Sequence, residues 1–516
     1  MKEELHRVVN DFGAFQPVST LPKGAKAIPT RWVFKTKPTR LKARVVAAQS
    51  LRLFHHILNK YSPTVALPTL RLVIAWACRR GCLIETIDIG GAYLYAEVPP
   101  GENIYIRVPD GMKEIMPEFV APDGNPPNFI RLTRYLYGLQ QAGAAFYRHL
   151  REWLLQVGFS QCVSDPCLYV LRRGPDILVL ASYVDDELLC GTSASILAYF
   201  HAEFSKKFEQ SPDSTGQADV HDFLGMLLER NSRDGTVRLS APRLLDKLAR
   251  LVGAASQPVR APLVPDHVRR LDLPAGEGNP LVPVSEFDCR AVLGLVLWIV
   301  LACRPDASFA ASLLARHAPK QTRNVVQAIR TLAWYLVQSR DMVLTFKRDG
   351  CGLQAFSDSS FANDDLTRRS WYCTLIYYSG APFDYAAKLA KCVAPSTRDA
   401  EIIAAVQCLK HVIGFRIMLS ELGEKPARPT ELLVDNQACV DGVANDRVSP
   451  DSRWQGIRLA YLRHFFGTEF IMRHVVGVQN PADIGTKALA PSDFARHART
   501  VLGHTELPPA SDIPLK

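Results

Sequence analysis

Between positions 69 and 79 (TLRLVIAWACR) apolar residues recur at helical spacing, which predicts a helix with a broad apolar face. LIETIDI follows and reads as a buried strand ending at Asp88. A second apolar strand is expected over 177–184 (ILVLASYV). It runs into the acidic pair Asp185 and Asp186, and 188–190 continues beyond, the pattern of a hairpin with carboxylates at its turn. Helical spacing returns over 194–208, 287–300 and 325–337.

KRDGCG, between 346 and 352, separates this region from a new strand and marks a domain boundary. Beyond it, strands are expected over 353–356, 372–378 and 431–434, with a long amphipathic helix over 399–422. A short helix over 481–489 has Asn480 as its N-cap and Pro481 at its first position. Alternating strands and helices argue for an α/β or α+β unit. At 516 residues the chain needs two or more folded units in series.

A 47% hydrophobic and 22% charged composition excludes disorder as the main theme. Lys and Arg number 61 against 51 Asp and Glu, a formal charge of +10, and this excess favours a polyanionic partner, although a solvated basic surface gives the same number. The twelve cysteines are scattered through apolar segments without zinc-site pairing and read as reduced core thiols. The start, MKEELHRVVNDF, has no apolar signal core. Charges interrupt every later apolar run, so no membrane span and an intracellular protein are expected.

Asp88 closes one buried strand, and Asp185 with Asp186 sits between two others. Adjacent central strands would bring the three carboxylates together. Asp-Asp pairs are ordinarily solvated turn residues, but a pair held between two apolar strands is desolvated and needs a compensating cation. Hard oxygen ligands suit magnesium. Two such ions about 4 Å apart can activate an attacking hydroxyl and stabilise the leaving oxygen in phosphoryl transfer.

A second set follows the same logic. Asp358 follows the strand LQAF, Glu401 lies in the first turns of the long helix, Asp435 ends the strand ELLV, and Asp483 follows Asn480-Pro481. The four can converge on one metal site, although helix N-termini accept acids such as Glu401 and Asp483 for dipole reasons alone.

Tyr183-Val184-Asp185-Asp186 resembles the active-site box of reverse transcriptases, and Asp88-Ile89-Gly90-Gly91-Ala92-Tyr93 resembles their first metal-binding strand followed by the aromatic that screens the sugar 2′-position. The branch resembled is the copia type. Its pattern appears in Trp32-Val33-Phe34-Lys35, Lys42-Ala43-Arg44-Val45-Val46-Ala47, Tyr61-Ser62-Pro63 and Thr69-Leu70-Arg71. It continues in Leu136-Tyr137-Gly138-Leu139-Gln140-Gln141-Ala142, Asp165-Pro166-Cys167-Leu168, Phe223-Leu224-Gly225 and Arg304-Pro305-Asp306. The order Asp358, Glu401, Asp435, Asp483 resembles the ribonuclease H tetrad of the same elements, with Asn480-Pro481-Ala482-Asp483-Ile484-Gly485-Thr486-Lys487 around its last member.

The resemblance implies a multidomain chain of α/β and α+β type: a right-hand polymerase of fingers, palm and thumb, plus a connection and a ribonuclease H-like domain. Fingers and palm would occupy 1–235, a mostly helical thumb and connection 236–348, the ribonuclease H-like domain 349–490 and a C-terminal tail 491–516. All seven carboxylates would be catalytic metal ligands, with two Mg2+ ions per site and Mn2+ as a substitute. Lys42 and Arg44 would meet the incoming deoxynucleoside triphosphate, and Tyr93 would exclude ribonucleotides by sterics. Gln141 and Tyr183 would line the nucleotide or template path, although for Gln141 a helix-surface position fits equally well. RNA template, DNA primer and RNA/DNA hybrid are the implied partners, in the cytoplasm within a virus-like particle and with access to the nucleus.

Several positions depart from the family pattern. Ala48 and Gln49 stand where Lys-Gly is usual, Gly143-Ala144-Ala145-Phe146 where Pro-Arg-Ala-Trp is, Ser359-Ser360-Phe361 lacks a second acid, and Gln455-Gly456 replaces His-Asp. None removes a metal ligand. With no room for the upstream domains of such polyproteins, a processed product, truncated product or genomic remnant is expected. The competing expectation is a decayed or domesticated element that binds nucleic acid without turnover, but a pure binder gains nothing from buried acids near phosphate.

Overall fold

The computed structural model describes residues 1–36, 41–49, 60–210, 219–445 and 455–511. Its N-terminal half is centred on a five-stranded antiparallel sheet in the order Leu83–Asp88, Asp186–Gly191, Asp176–Tyr183, Leu168–Arg173 and Ser160–Gln161. The middle strands are apolar without alternation because both faces are covered. Val179 and Ala181 point to a core shared with helix Leu67–Arg80, whereas Leu178 and Leu180 point to one shared with helices Ala142–Val157 and Ala194–Phe204. The expected helix and hairpin are therefore both present.

Helix Leu67–Arg80 has no side-chain cap of its own. Asp165 supplies one from another segment, accepting from the Ala66 N–H at 3.1 Å. The helix stops at Gly81, whose left-handed φ of 68° suits the residue without a Cβ.

Toward the N-terminus lie a hairpin, Thr30–Thr36 with Leu41–Ala47, and a four-stranded sheet that includes Phe15–Val18 and Phe129–Leu132. A second four-stranded sheet runs Val220–Phe223, Met226–Asn231, Thr236–Ser240 and Leu344–Lys347. The boundary expected at 235/236 falls in the turn of its middle hairpin. The helices between 242 and 338 are thus an insertion between two paired strands, Thr236–Ser240 and Leu344–Lys347.

The C-terminal part holds a mixed five-stranded sheet in the order Ala381–Leu389, Trp371–Tyr378, Gln354–Ser360, Thr430–Val434 and Phe470–His474, its last two pairings parallel. The expected long helix is Thr397–Glu421. By length and composition it could cross a membrane, contrary to the expectation that charges interrupt every such run. Nor is it amphipathic: it is covered by strands Gln354–Ser360 and Trp371–Tyr378 and by helices Gln437–Ala444 and Gly456–Phe465, and even Glu401 and Arg416 are buried. The short helix expected over 481–489 is a 3-10 turn, Pro481–Gly485, capped by the Asn480 side chain on the Ala482 N–H. Residues 491–501 of the expected tail form a helix that buries Phe494, Ala498 and Val501, and 512–516 lie outside the described residues. All twelve thiols are free, and all but Cys351 and Cys392 are buried.

Candidate active sites

Asp88 and Asp186 are direct partners across adjacent antiparallel strands, and Asp186 also pairs with Tyr183 across the hairpin. Only Val184 and Asp185 form the turn, and the Ile89 N–H donates to the Asp185 carbonyl at 2.8 Å, fastening it to the Asp88 strand. Val184 has φ 65°, a conformation disfavoured for a β-branched residue and the one demanded by a primed two-residue hairpin turn.

The three aspartates open onto a cavity of about 210 Å3 that Val33, Lys35, Lys42 and Arg44 also line. The facing hairpin explains the cations: Lys35 pairs with Lys42 and Val33 with Arg44 across its strands, so all four share one face. Burial raises the Asp185 carboxyl above the usual range, and the Asp88 charge raises it further, while Arg44 and Lys42 pull it down. Lys35 was not among the expected site residues, although its two-residue spacing from Val33 in an alternating strand carries the signal.

Tyr93 packs against Tyr137, ring centroids 4.8 Å apart, and the Arg44 guanidinium lies 4.5 Å over the Tyr137 ring. Burial raises both phenols and the Asp185 charge adds to that, while Arg44 pulls Tyr137 down; because Arg44 lines the acidic cavity, the tyrosine pair stands at its rim. Tyr183 ends its strand and packs half-buried against the core. Gln141 has other company: it is buried, and its side-chain amide donates to Glu102 at 3.1 Å, a carboxylate that also accepts from the Tyr135 hydroxyl at 2.8 Å. Gly91 has a left-handed φ of 69°, which favours glycine, and a Cβ at Gly90 or Gly91 would displace the Arg7 guanidinium.

The second constellation also converges. Carboxylate oxygens of Asp358, Glu401 and Asp435 lie within 4.8 Å of one another. Asp358 and Asp435 stand on or at the end of neighbouring parallel strands, and Glu401 reaches in from the second turn of the long helix, accepting from the Ser359 N–H at 3.0 Å. Asp483 joins through its neighbours: Thr486 donates to the Asp358 carboxylate, and Lys487 pairs with Asp483 at 2.8 Å. Burial, then the charges of Asp483 and Asp435, push Asp358 up to about 7. Burial, then Asp358, pushes Glu401 well above its usual range, and Asp435 is raised by burial and by Asp483.

Both sets fit divalent cations. The donors are hard carboxylate oxygens, and the buried Glu401 Oε2 has no hydrogen-bond partner. Three acids within 4.8 Å destabilise one another unless a positive charge stands between them.

Residues 14–262 match the family model described as reverse transcriptase (RNA-dependent DNA polymerase). Similar curated proteins include the retrovirus-related Pol polyprotein from transposon RE1 of Arabidopsis thaliana, 28% identical over 504 residues, and that from transposon TNT 1-94 of Nicotiana tabacum, 27% identical over 514. Residues 14–262 thus form a reverse transcriptase domain, similar to that of copia-type retrotransposon polyproteins. These two alignments take in 95% and 96% of this chain but 32% and 37% of the relatives, so the chain spans about a third of their length. Among solved structures, a foamy viral protease-reverse transcriptase in complex with RNA/DNA hybrid is similar with a TM-score of 0.45 and 12% identity, over 92% of this chain and 54% of that one.

The family match takes in the whole first cavity, from Val33 to Asp186, as well as Tyr93 and Gln141. It ends before Asp358, so the second carboxylate centre lies outside the family match, in a part of the chain that the alignments with the longer retrotransposon polyproteins take in.

Proposed function

We propose that the chain is an RNA-directed DNA polymerase that also degrades the RNA strand of the resulting hybrid, with each reaction served by its own carboxylate centre. The observation that carries this reading is the convergence of two separate acidic clusters, on two different sheets, from residues far apart in sequence.

At the first centre Asp88, Asp185 and Asp186 would hold Mg2+, or Mn2+ in its place. Bound there, such ions would activate the primer 3′-hydroxyl and stabilise the leaving pyrophosphate. Lys42 and Arg44, facing the aspartates across the cavity, are suited to grip the triphosphate, Lys as a point charge and Arg as a fork. Tyr93 stands at the rim, where a bulky ring would crowd a 2′-hydroxyl.

At the second centre Asp358, Glu401, Asp435 and Asp483 would hold the ions for hydrolysis of the RNA strand, recognised by backbone shape and 2′-hydroxyls. Lys487 holds Asp483 in place through its ion pair. The substrates would be an RNA template with a DNA primer, deoxynucleoside triphosphates and the hybrid formed from them. The free, buried thiols suit a reducing compartment such as the cytoplasm.

Primer extension on an RNA template with magnesium tests the first half: wild type extends, and Asp185→Asn does not. For the second half, Asp435→Asn abolishes hybrid cleavage and leaves extension largely intact. Equal extension by wild type and Asp185→Asn would refute the first assignment, and joint loss in Asp435→Asn would refute two independent centres.

A further inference from the structure

Helix Leu67–Arg80 packs against the polymerase-side strands Asp176–Tyr183 and Asp186–Gly191 and also against Ala381–Leu389 of the nuclease-side sheet. Arg71, on this helix, is 2% exposed. Its Nε donates to the Phe383 carbonyl at 2.7 Å, and its Nη1 donates to the carbonyls of Leu301 and Ala302. The guanidinium lies over the Tyr385 ring, 4.4 Å from its centroid, and the Tyr385 hydroxyl donates to the Val300 carbonyl at 2.8 Å.

One planar fork thus joins three parts of the chain: the polymerase-side helix, the last turn of helix Cys289–Cys303 and a nuclease-side strand. The carbonyls at a helix C-terminus lack intrahelical partners and carry the negative end of the dipole, so they accept a cation well. A buried guanidinium away from its acceptors is strongly unfavourable, which makes the arrangement intolerant of small shifts. Arginine alone supplies both the fork and the flat face over Tyr385.

The surroundings agree. One continuous apolar core runs from Val65 through Trp76 and Cys190 to Phe383, Leu432 and Leu502, with no break between the polymerase and nuclease sides. At the end of the same helix Arg79 pairs with Glu424 at 3.2 Å and donates to the Gly350 carbonyl at 2.9 Å. From Asp186 to Asp358 the path therefore passes only through packed elements: the helix, strand Ala381–Leu389, strand Trp371–Tyr378 and strand Gln354–Ser360.

We infer that Arg71 is a positioning residue that fixes the nuclease centre at one distance from the polymerase centre, so that the RNA is cut at a set offset from the primer terminus. This rests on the two-activity reading above. A nuclease held by a flexible link would sample many offsets, whereas one docked through a shared core and a buried fork has a single offset.

The test uses the full chain on a labelled RNA annealed to a DNA primer with magnesium, reading the distance from primer terminus to RNA cut alongside primer extension. Wild type gives a narrow set of cuts. Arg71→Met spreads them over a several-fold wider window with total cleavage and extension within a few-fold of wild type, and Arg71→Lys, which keeps charge but not the fork, falls between. A folded Arg71→Met with the wild-type offset overturns the inference. Should Arg71→Met fail to fold, the double substitution Arg79→Ala with Arg80→Ala takes its place, since Arg80 also pairs with Glu424 at 3.4 Å, with the same broadening expected and an unchanged offset overturning it. Should wild type neither extend nor cut, the two-activity reading fails, while docking is still read by calorimetry: wild type unfolds in one transition and the variant in two, and one transition in both overturns it.

Discussion

Asp88 and Asp186 face each other directly across neighbouring antiparallel strands, with Asp185 one residue away at the tip of the hairpin. Like charges opposite one another weaken a strand pair by up to about 1 kcal/mol. Asp88→Asn should therefore raise the melting temperature in a chelator by a degree or more while abolishing extension and reducing the stabilisation that magnesium gives wild type to the share of the second carboxylate centre. Thermal melts with and without magnesium check this. A variant that still gains the wild-type increment from magnesium would remove Asp88 from the ligand set.

Val184 shows what the hairpin costs. Its φ of 65° strains a β-branched residue, and such strain amounts to roughly 1–3 kcal/mol. Glycine adopts this φ freely but is more flexible unfolded and gives up the half-buried side chain. Val184→Gly is expected to be neutral or to stabilise by up to about 1 kcal/mol in urea unfolding. A loss greater than that would mean the side chain's packing outweighs the strain.

The apolar strands around Asp88 and Asp185 were legible because burial on both faces leaves an uninterrupted apolar run, and carboxylates at its ends stand out against it. The second carboxylate set was legible for the same reason at Asp358 and Asp435. Arg71 was not, because its acceptors are backbone carbonyls of Leu301, Ala302 and Phe383, and a carbonyl has no side-chain signature. Strand Leu344–Lys347 was hidden likewise: it pairs with Thr236–Ser240 across more than a hundred residues of helical insertion. The long helix was misjudged as amphipathic because its polar residues Glu401 and Arg416 are buried ones with partners, Ser359 for the first and Glu469 for the second.

Tyr93 was expected to screen the sugar and Gln141 to line the nucleotide or template path, and their contacts separate them. Gln141→Ala leaves the half-buried Glu102 carboxylate without one of its two donors, a loss of about 0.5–1.5 kcal/mol. Tyr93→Ala opens space at the rim of the acidic cavity and should raise ribonucleotide incorporation relative to deoxynucleotide at least tenfold. Comparing nucleotide selectivity and urea midpoints for both variants checks the division. If Gln141→Ala changes selectivity as much as Tyr93→Ala does, the glutamine also touches the nucleotide.

Asp358 gives the second carboxylate centre an unusual pH dependence. Burial and the neighbouring carboxylates push its folded-state carboxyl up to about 7 from an ordinary 3.8, so between those values the folded protein holds a proton that the unfolded chain has released. The metal-free protein accordingly loses the Asp358 contribution to stability as pH rises from about 4 through 7, whereas an acid with a lowered value would gain stability over that range. Asp358→Asn removes the titration and part of the repulsion on Glu401 and Asp435. In chelator, the variant's melting temperature relative to wild type should therefore be higher at pH 7.5 than at pH 5.5. Magnesium should reverse the order at pH 7.5, because the ion takes the place of the proton in wild type and the amide weakens its binding. A difference between variant and wild type that is the same at both pH values in chelator would show that Asp358 does not titrate in this range.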